Sequence, residues 1–389
     1  MFVIWHDNDY DLARWVYLNS SLSKIGGKVL LRPIPKTNSS GTLLRSLTGD
    51  FDHHILPVIK YETPDIIIQR IDEKSGDSEV IFVTEFMTHT PQHHHPLQRF
   101  SRIYGASNLK IPSALIIPNT KVKLERKNGV YRPTSYRANP LIYHIFIKTT
   151  DINKTPTLLF LWPDIDGYLK YDKQHPTAPF INDQIQSWFA LLDSAVRGEK
   201  DISSAKEQYE LMIKVGQHKV REHKEFVAGW KDIYKLTTIR VEKTDAVIKE
   251  FKLDTKQLPA HFLKNDETLI FEPDGLHAPS TPFRTDPYAG MLCAFDNLFC
   301  REENGDRVLN LVLRAKNIKY AVSEKQNIFI DIEHDKSTCP FLKKVQKDIG
   351  SEHLKANQCP FTMTKQQRIY GEVADVIVFD DYVYYQKIS

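Results

Sequence analysis

The chain is poor in cysteine, in long apolar runs and in net charge. Its four cysteines, at 293, 300, 339 and 359 of 389 residues, do not form a disulfide framework, and a reducing cytoplasm is the expected compartment. No apolar run approaches the ~20 residues that cross a bilayer. The opening MFVIWHDNDYDLARW has neither a basic n-region nor a long apolar h-region, so neither a secretory signal nor a membrane partner is expected. The formal net charge is only +3, so nucleic acid is implied only where basic residues cluster. The chain also lacks GxxxxGKS/T, GxSxG and HExxH. Nucleotide hydrolysis, α/β-hydrolase chemistry and zincin chemistry are therefore unsupported, and no nucleotide cofactor is expected.

With 41% hydrophobic and 26% charged residues, the composition is that of ordinary globular proteins. The length suits two domains. Apolar spacing predicts helices over 9–25, 97–106, 182–196 and 289–301. It predicts short strands at 29–31, 56–60, 66–68, 80–83, 111–118, 141–148, 157–162, 269–271, 309–314 and 328–332. Val373 to Phe379 and Tyr382 to Gln386 read as a closing hairpin. From Gly198 to about Lys235 charged residues dominate and the apolar stripe is thin, which predicts linking helices with a break at Gly216. The expected organisation is a first domain over 1–198, a helical linker over 199–235 and an α+β domain over 236–389. No internal repeat is read.

The chemistry concentrates between Pro64 and Arg102. Pro64-Asp65 leads into Ile66-Ile67-Ile68, a charged turn holds Gly76, and Val80-Ile81-Phe82-Val83 runs into Thr84-Glu85. Two β-branched runs around a polar turn predict a hairpin. The start of its first strand then lies beside the end of its second, which makes Asp65 and Glu85 neighbours. Two such carboxylates form a hard-oxygen site suited to Mg2+ and to metal-assisted phosphodiester hydrolysis. A loop rich in Thr, Pro and His follows. Its consecutive histidines, His93 to His95, cannot all point one way, so a zinc site is not read there. The helix at 97–106 carries Gln98, Arg99 and Arg102 on its polar face.

Pro64-Asp65, the spacer, Glu85-Phe86-Met87, and the order hairpin, helix, strand resemble the PD-(D/E)XK nuclease superfamily, the fold of many type II restriction endonucleases. The resemblance covers residues 50 to 120. It implies an α/β fold: a restriction-endonuclease-like mixed sheet flanked by helices, with a second α+β domain for DNA recognition or dimerisation. It implies a metal-dependent deoxyribonuclease that hydrolyses phosphodiester bonds site-specifically in double-stranded DNA, acting as a homodimer on palindromic sites. Mg2+, or Mn2+ in its place, would be held by Asp65, Glu85 and the Phe86 carbonyl. The departure is Met87, where the family has lysine, because a thioether neither activates water nor steadies developing charge. Lys60, Gln92, Gln98 or Arg99 would take over that role, and Arg99 or Arg102 would stabilise the scissile phosphate. The alternatives are a catalytically inactive DNA-binding member of the same fold and a repair or defence nuclease without tight sequence choice.

Residues 119–137 hold six Lys or Arg against one acid. Asn128-Gly129 marks a hairpin turn. Lys121, Lys123, Arg126, Lys127, Arg132 and Arg137, interleaved with Tyr131 and Tyr136, are expected to track a phosphate backbone, with Gln92 and Arg102 as further DNA contacts. In the C-terminal part, Asp274 sits in a turn, far in sequence from Asp331 and Glu333, and is not read as a second metal site. Cys293 and Cys300 read as buried thiols.

Overall fold

In the computed structural model of the protein, the described residues are 1–7, 9–34, 53–59, 61–87, 92–93, 95–118, 122–127, 130–135, 137–138, 140–162, 183–222, 237–273, 286–301, 307–316, 318–322, 328–332 and 366–386. The chain divides into two compact units, one over 1–36 and 45–229 and one over 37–44 and 230–389. Each is a mixed α/β unit built on a mixed sheet, and the described residues include eight α-helices.

The first unit runs β1 (Phe2–His6), α1 (Tyr10–Asn19), β2 (Val29–Pro33), β3 (Ile66–Ile71), β4 (Ser78–Phe86), β5 (Gln92–His93) and α2 (His95–Asn108). It continues with β6 (Ser113–Pro118), β7 (Val122–Lys127), β8 (Val130–Ser135), β9 (Arg137–Ala138), α3 (Leu141–Asn153), β10 (Thr157–Trp162), α4 (Asp183–Arg197) and α5 (Lys206–Glu222). Six strands form one sheet in the order β10-β6-β4-β3-β1-β2. The expected hairpin is present: β3 and β4 are antiparallel, with Ile66 opposite Thr84, and the turn between them uses Gly76 at φ 78°, a conformation glycine adopts without strain. β6 lies parallel to β4, with Leu115 beside Glu85, as the expected strand order requires.

Side chains alternate across a strand, and at the end of β4 that alternation sorts chemistry from core. Phe86 meets Trp15 of α1 and Trp188 of α4, at centroid distances of 6.3 and 5.4 Å. Trp15 and Trp188 stack on each other. Glu85, one residue earlier, turns to the other face and meets α2. The aromatic cluster thus anchors the strand end that presents the carboxylate. Asp9 caps α1 by accepting the Leu12 N–H at 2.9 Å.

Three local expectations are corrected. Residues 141–148, expected as a strand, lie in α3. Their β-branched content suggested a strand, yet Ile142, Tyr143, Ile145, Phe146, Thr149 and Thr150 are buried at helical spacing, and burial overrides propensity. Residues 56–59 form turns rather than a strand. Residues 206–222, expected in a linker, pack on the first unit as α5. Met212 is buried and its sulfur lies 3.1 Å from the Leu159 N–H, which covers the open edge of β10. The helix passes through Gly216 without a break, because that position lies against Tyr143, whose Cβ would stand 2.8 Å from any added Cβ.

The second unit runs β11 (Thr237–Lys243), α6 (Thr244–Glu250), β12 (Glu267–Pro273) and α7 (Asp286–Phe295), which a π turn (Asp296–Cys300) extends. It continues with β13 (Asn310–Arg314), β14 (Ile318–Val322), β15 (Ile328–Ile332), α8 (Gln366–Val373), β16 (Val376–Val378) and β17 (Val383–Tyr385). Its sheet order is β11-β12-β13-β16-β17. One face is filled by Val247, Phe262, Ile270, Val312 and Val376 among others. The expected closing hairpin is β16 with β17, and Cys293 and Cys300 are buried thiols outside any disulfide.

The absence of a repeat, expected from the residues, does not extend to topology. In the first unit the antiparallel pair β3-β4 is followed by α2, then parallel β6, the β7-β8 ribbon, α3 and parallel β10. In the second, the antiparallel pair β11-β12 is followed by α7, parallel β13, the β14-β15 ribbon, α8 and parallel β16. In each unit the two crossover helices pack on one another.

Candidate active site

Asp65 and Glu85 converge, as the hairpin requires. The Asp65 N–H donates to Glu85 Oε2 at 3.0 Å, and the Phe86 N–H donates to Asp65 Oδ2 at 2.8 Å. Each carboxylate therefore binds the backbone at the other's strand end. That reciprocal pair fixes both side chains.

Helix α2 completes the cluster. Arg99 Nη1 and Arg102 Nη1 both donate to Glu85 Oε1 at 2.9 Å. Arg102 Nη1 also lies 3.9 Å from Asp65 Oδ1, and Arg102 Nε donates to Glu62 Oε1 at 2.9 Å. The Ser101 hydroxyl donates to the other oxygen of Glu62. Three carboxylates thus surround one guanidinium, with a second guanidinium at the rim. Glu85 is fully buried, whereas Arg99 keeps 32% of its side-chain surface exposed.

The electrostatics follow from that count. Burial pushes the Glu85 carboxyl well above the usual carboxylate range. Arg102 opposes the rise, and the neighbouring Asp65 charge adds to it. Asp65 is also raised by burial, against the pull of Arg102, the Phe86 N–H and Arg99. For Arg102, the Glu85, Glu62 and Asp65 charges outweigh the effect of burial and hold the guanidinium firmly protonated.

The donor chemistry suits a hard divalent ion. One nitrogen lies 2.9 Å from Glu85 Oε1 and 3.9 Å from Asp65 Oδ1, so those oxygens are at most about 7 Å apart, within the span that one ion and its waters can bridge. The Arg102 guanidinium occupies the position between them. Among the described residues no group of three or more His, Cys, Asp or Glu is arranged to hold a metal ion. Two carboxylates are nevertheless within the usual protein share for Mg2+, whose remaining ligands are waters and substrate phosphate.

The other expected residues divide into three groups. Arg99 and Arg102 join the carboxylates. Gln98 lies on α2, its backbone carbonyl accepting the Ser101 hydroxyl at 3.0 Å; among the described residues its side chain joins neither acid. Met87 is buried and its N–H donates to the Ile116 carbonyl at 2.8 Å, so the strand position expected for lysine packs as core. Lys60 and Lys121 lie outside the described residues, as do the side chains of Gln92, Lys123, Arg126, Lys127, Arg132 and Arg137. The ribbon carrying most of those cations does form, as β7 with β8. Asp274 and Glu333 also lie outside the described residues.

Sequence reasoning missed Glu62 and Ser101. The available signal was the Ser101-Arg102 pair on the polar face of α2, which needed an acceptor beyond Asp65 and Glu85. What brings Glu62 into reach is Gly105, where an added Cβ would stand 2.5 Å from the Val58 carbonyl oxygen. The bare glycine lets α2 approach the segment that carries Glu62.

Among the described residues no helix is long and apolar enough to cross a membrane. No family model, no curated protein and no solved structure matches the chain.

Proposed function

We propose that the chain is a metal-dependent deoxyribonuclease of the restriction-endonuclease-like fold, with Asp65 and Glu85 at the centre of its site. The observation that carries this reading is the meeting of two carboxylates, buried Glu85 and partly exposed Asp65, across the β3-β4 hairpin, with two arginines from the crossover helix directed at them. The order of hairpin, helix and parallel strand around the pair adds support. Double-stranded DNA as substrate, sequence-specific cutting and a homodimer belong to the same proposal.

Asp65, Glu85 and the Phe86 carbonyl would hold Mg2+, which when bound supplies Lewis-acid stabilisation and a more acidic water. The chain's own contribution is charge placement. Arg102 and Arg99 offset two of the three negative charges of Glu62, Asp65 and Glu85. A phosphate offers the same guanidiniums a competing, bidentate acceptor. Arg99, the more exposed of the two, is the first phosphate contact, and Arg102 stays tied to Glu62 through Nε. With Met87 in the core, no amine on β4 serves beside Glu85, and the guanidiniums carry the positive charge that the scissile phosphate needs.

A second reading is a DNA-binding member without catalysis. It is favoured by one observation: both oxygens of Glu85 already accept hydrogen bonds, Oε1 from two arginines and Oε2 from the Asp65 N–H. Incubation with plasmid DNA and Mg2+ separates the readings. Discrete fragments support a site-specific nuclease, a smear supports cutting without sequence choice, and a mobility shift without cutting supports the binding member.

A further inference from the structure

Glu85 is the next-to-last residue of β4, and Glu272 is the next-to-last residue of β12. Each strand follows an antiparallel partner and precedes a helical crossover to a parallel strand. The crossover helices both carry proline at their second position, Pro96 in α2 and Pro287 in α7. The two glutamates therefore hold the same place in the repeated order of elements.

The surroundings of the two are assembled differently, although each sets three carboxylates against two cations. Beside Glu85 the partner strand begins after Asp65. Opposite Glu272 on β11 stands Thr238, so the second carboxylate of the pair is replaced by a neutral residue. Cations instead converge on Glu272, which is 7% exposed. Lys316 Nζ lies 2.7 Å from its Oε2 and Arg240 Nη2 lies 3.8 Å from its Oε1. Lys316 comes from the segment just past β13 and keeps 51% of its side-chain surface exposed. Arg240 is further fixed by Glu250 and Glu242. At the same end of β13, Arg314 donates to the Val378 carbonyl and to Asp380.

Glu272 braces both cations, and Glu250 and Glu242 also hold Arg240, so the cluster is a poor divalent site whose cations are fixed in place. The acid sets where the ammonium and guanidinium stand, and the ammonium still reaches water. The location is the carboxyl end of parallel strands, where open α/β sheets collect their ligands. Phosphate is an anion that Lys and Arg donors recognise.

We propose that the second unit is a diverged copy of the first, and that Lys316 and Arg240, braced by Glu272, bind a backbone phosphate of nucleic acid. The proposal takes its ligand class from the nuclease reading above and does not depend on cutting.

The test is equilibrium binding of the full chain to a fluorescein-labelled DNA duplex in EDTA, followed across a salt series. Lys316→Ala should weaken binding about three- to tenfold and reduce the slope of log K against log salt by about one, the loss of a single phosphate contact. Lys316→Arg should restore both. Lys316→Gln should repeat the alanine result if the alanine variant melts early. An unchanged slope in both Lys316→Ala and Lys316→Gln overturns the proposal, whether or not affinity falls, and so does a wild-type chain that binds no duplex. Cleavage by wild type and by Asp65→Asn is scored separately. A wild type that never cuts, yet loses salt slope with Lys316, removes the nuclease reading and leaves this site standing.

Discussion

Arg102 and Glu85 are joined by a hydrogen bond of 2.9 Å, although one lies on α2 and the other at the end of β4, 17 residues earlier. The same nitrogen approaches Asp65 and the same side chain binds Glu62. One guanidinium therefore organises three acids that the chain brings from two separate segments. The site is assembled by charge.

Removing that guanidinium leaves buried carboxylates without their main counter-charge. Arg102→Ala should lower unfolding free energy by about 3–5 kcal/mol, the usual cost of breaking a buried ion pair from one side. Arg102→Lys should recover part of it, because a lysine cannot bind Glu85 and Glu62 together in the same fork. Urea denaturation of the three proteins measures this. Equal midpoints would mean that the acids are not held by Arg102.

Gly105 makes a second stability prediction. Its hydrogen faces the Val58 carbonyl oxygen, with no room for a methyl group. Gly105→Ala should destabilise by about 1–3 kcal/mol through forced backbone movement. It should also weaken the hold on Glu62, since Ser101 lies one turn away on the same helix. A denaturation midpoint at the wild-type value would contradict the close approach.

The raised carboxyl of Asp65 gives a pH dependence whose sign is fixed. Its folded-state pKa lies above the unfolded value of about 3.9. The proton is therefore bound more tightly in the folded chain, and the associated stability is complete below the unfolded pKa and lost as pH rises through the folded one. Asp65→Asn removes that titration. Relative to wild type, the variant should gain stability as pH rises through the folded-state pKa, as read by thermal or urea melts across a pH series. A relative loss over that rise would reverse the assignment.

The hairpin was legible because Ile66 to Ile68 and Val80 to Val83 are runs of β-branched and aromatic residues around a glycine turn, and such patterns are local. The crossover helix was legible from its apolar spacing. Glu62 was not, because its role depends on how closely α2 approaches residues 58–62, and a single glycine on another element decides that. Helix α3 was misread because Ile142, Tyr143 and Ile145 suit a strand in isolation, and only burial against the sheet selects the helix. Helix α5 looked like a linker because its packing side is narrow, consisting largely of Met212 and Gly216. The repeated order of elements was invisible because the two units realise it with different residues, Asp65 in one and Thr238 in the other.

The central claim is that Asp65 and Glu85 together handle a divalent ion at a phosphodiester bond, and cleavage kinetics test it most directly. Supercoiled plasmid should be converted to cut forms by wild type in Mg2+ and left intact in EDTA. Asp65→Asn, which preserves shape but removes one of the two carboxylates proposed to hold the ion, should slow cutting by about 100-fold or more, equivalent to about 2.7 kcal/mol of barrier. Cutting by Asp65→Asn at the wild-type rate, or equal cutting by wild type with and without EDTA, would contradict it.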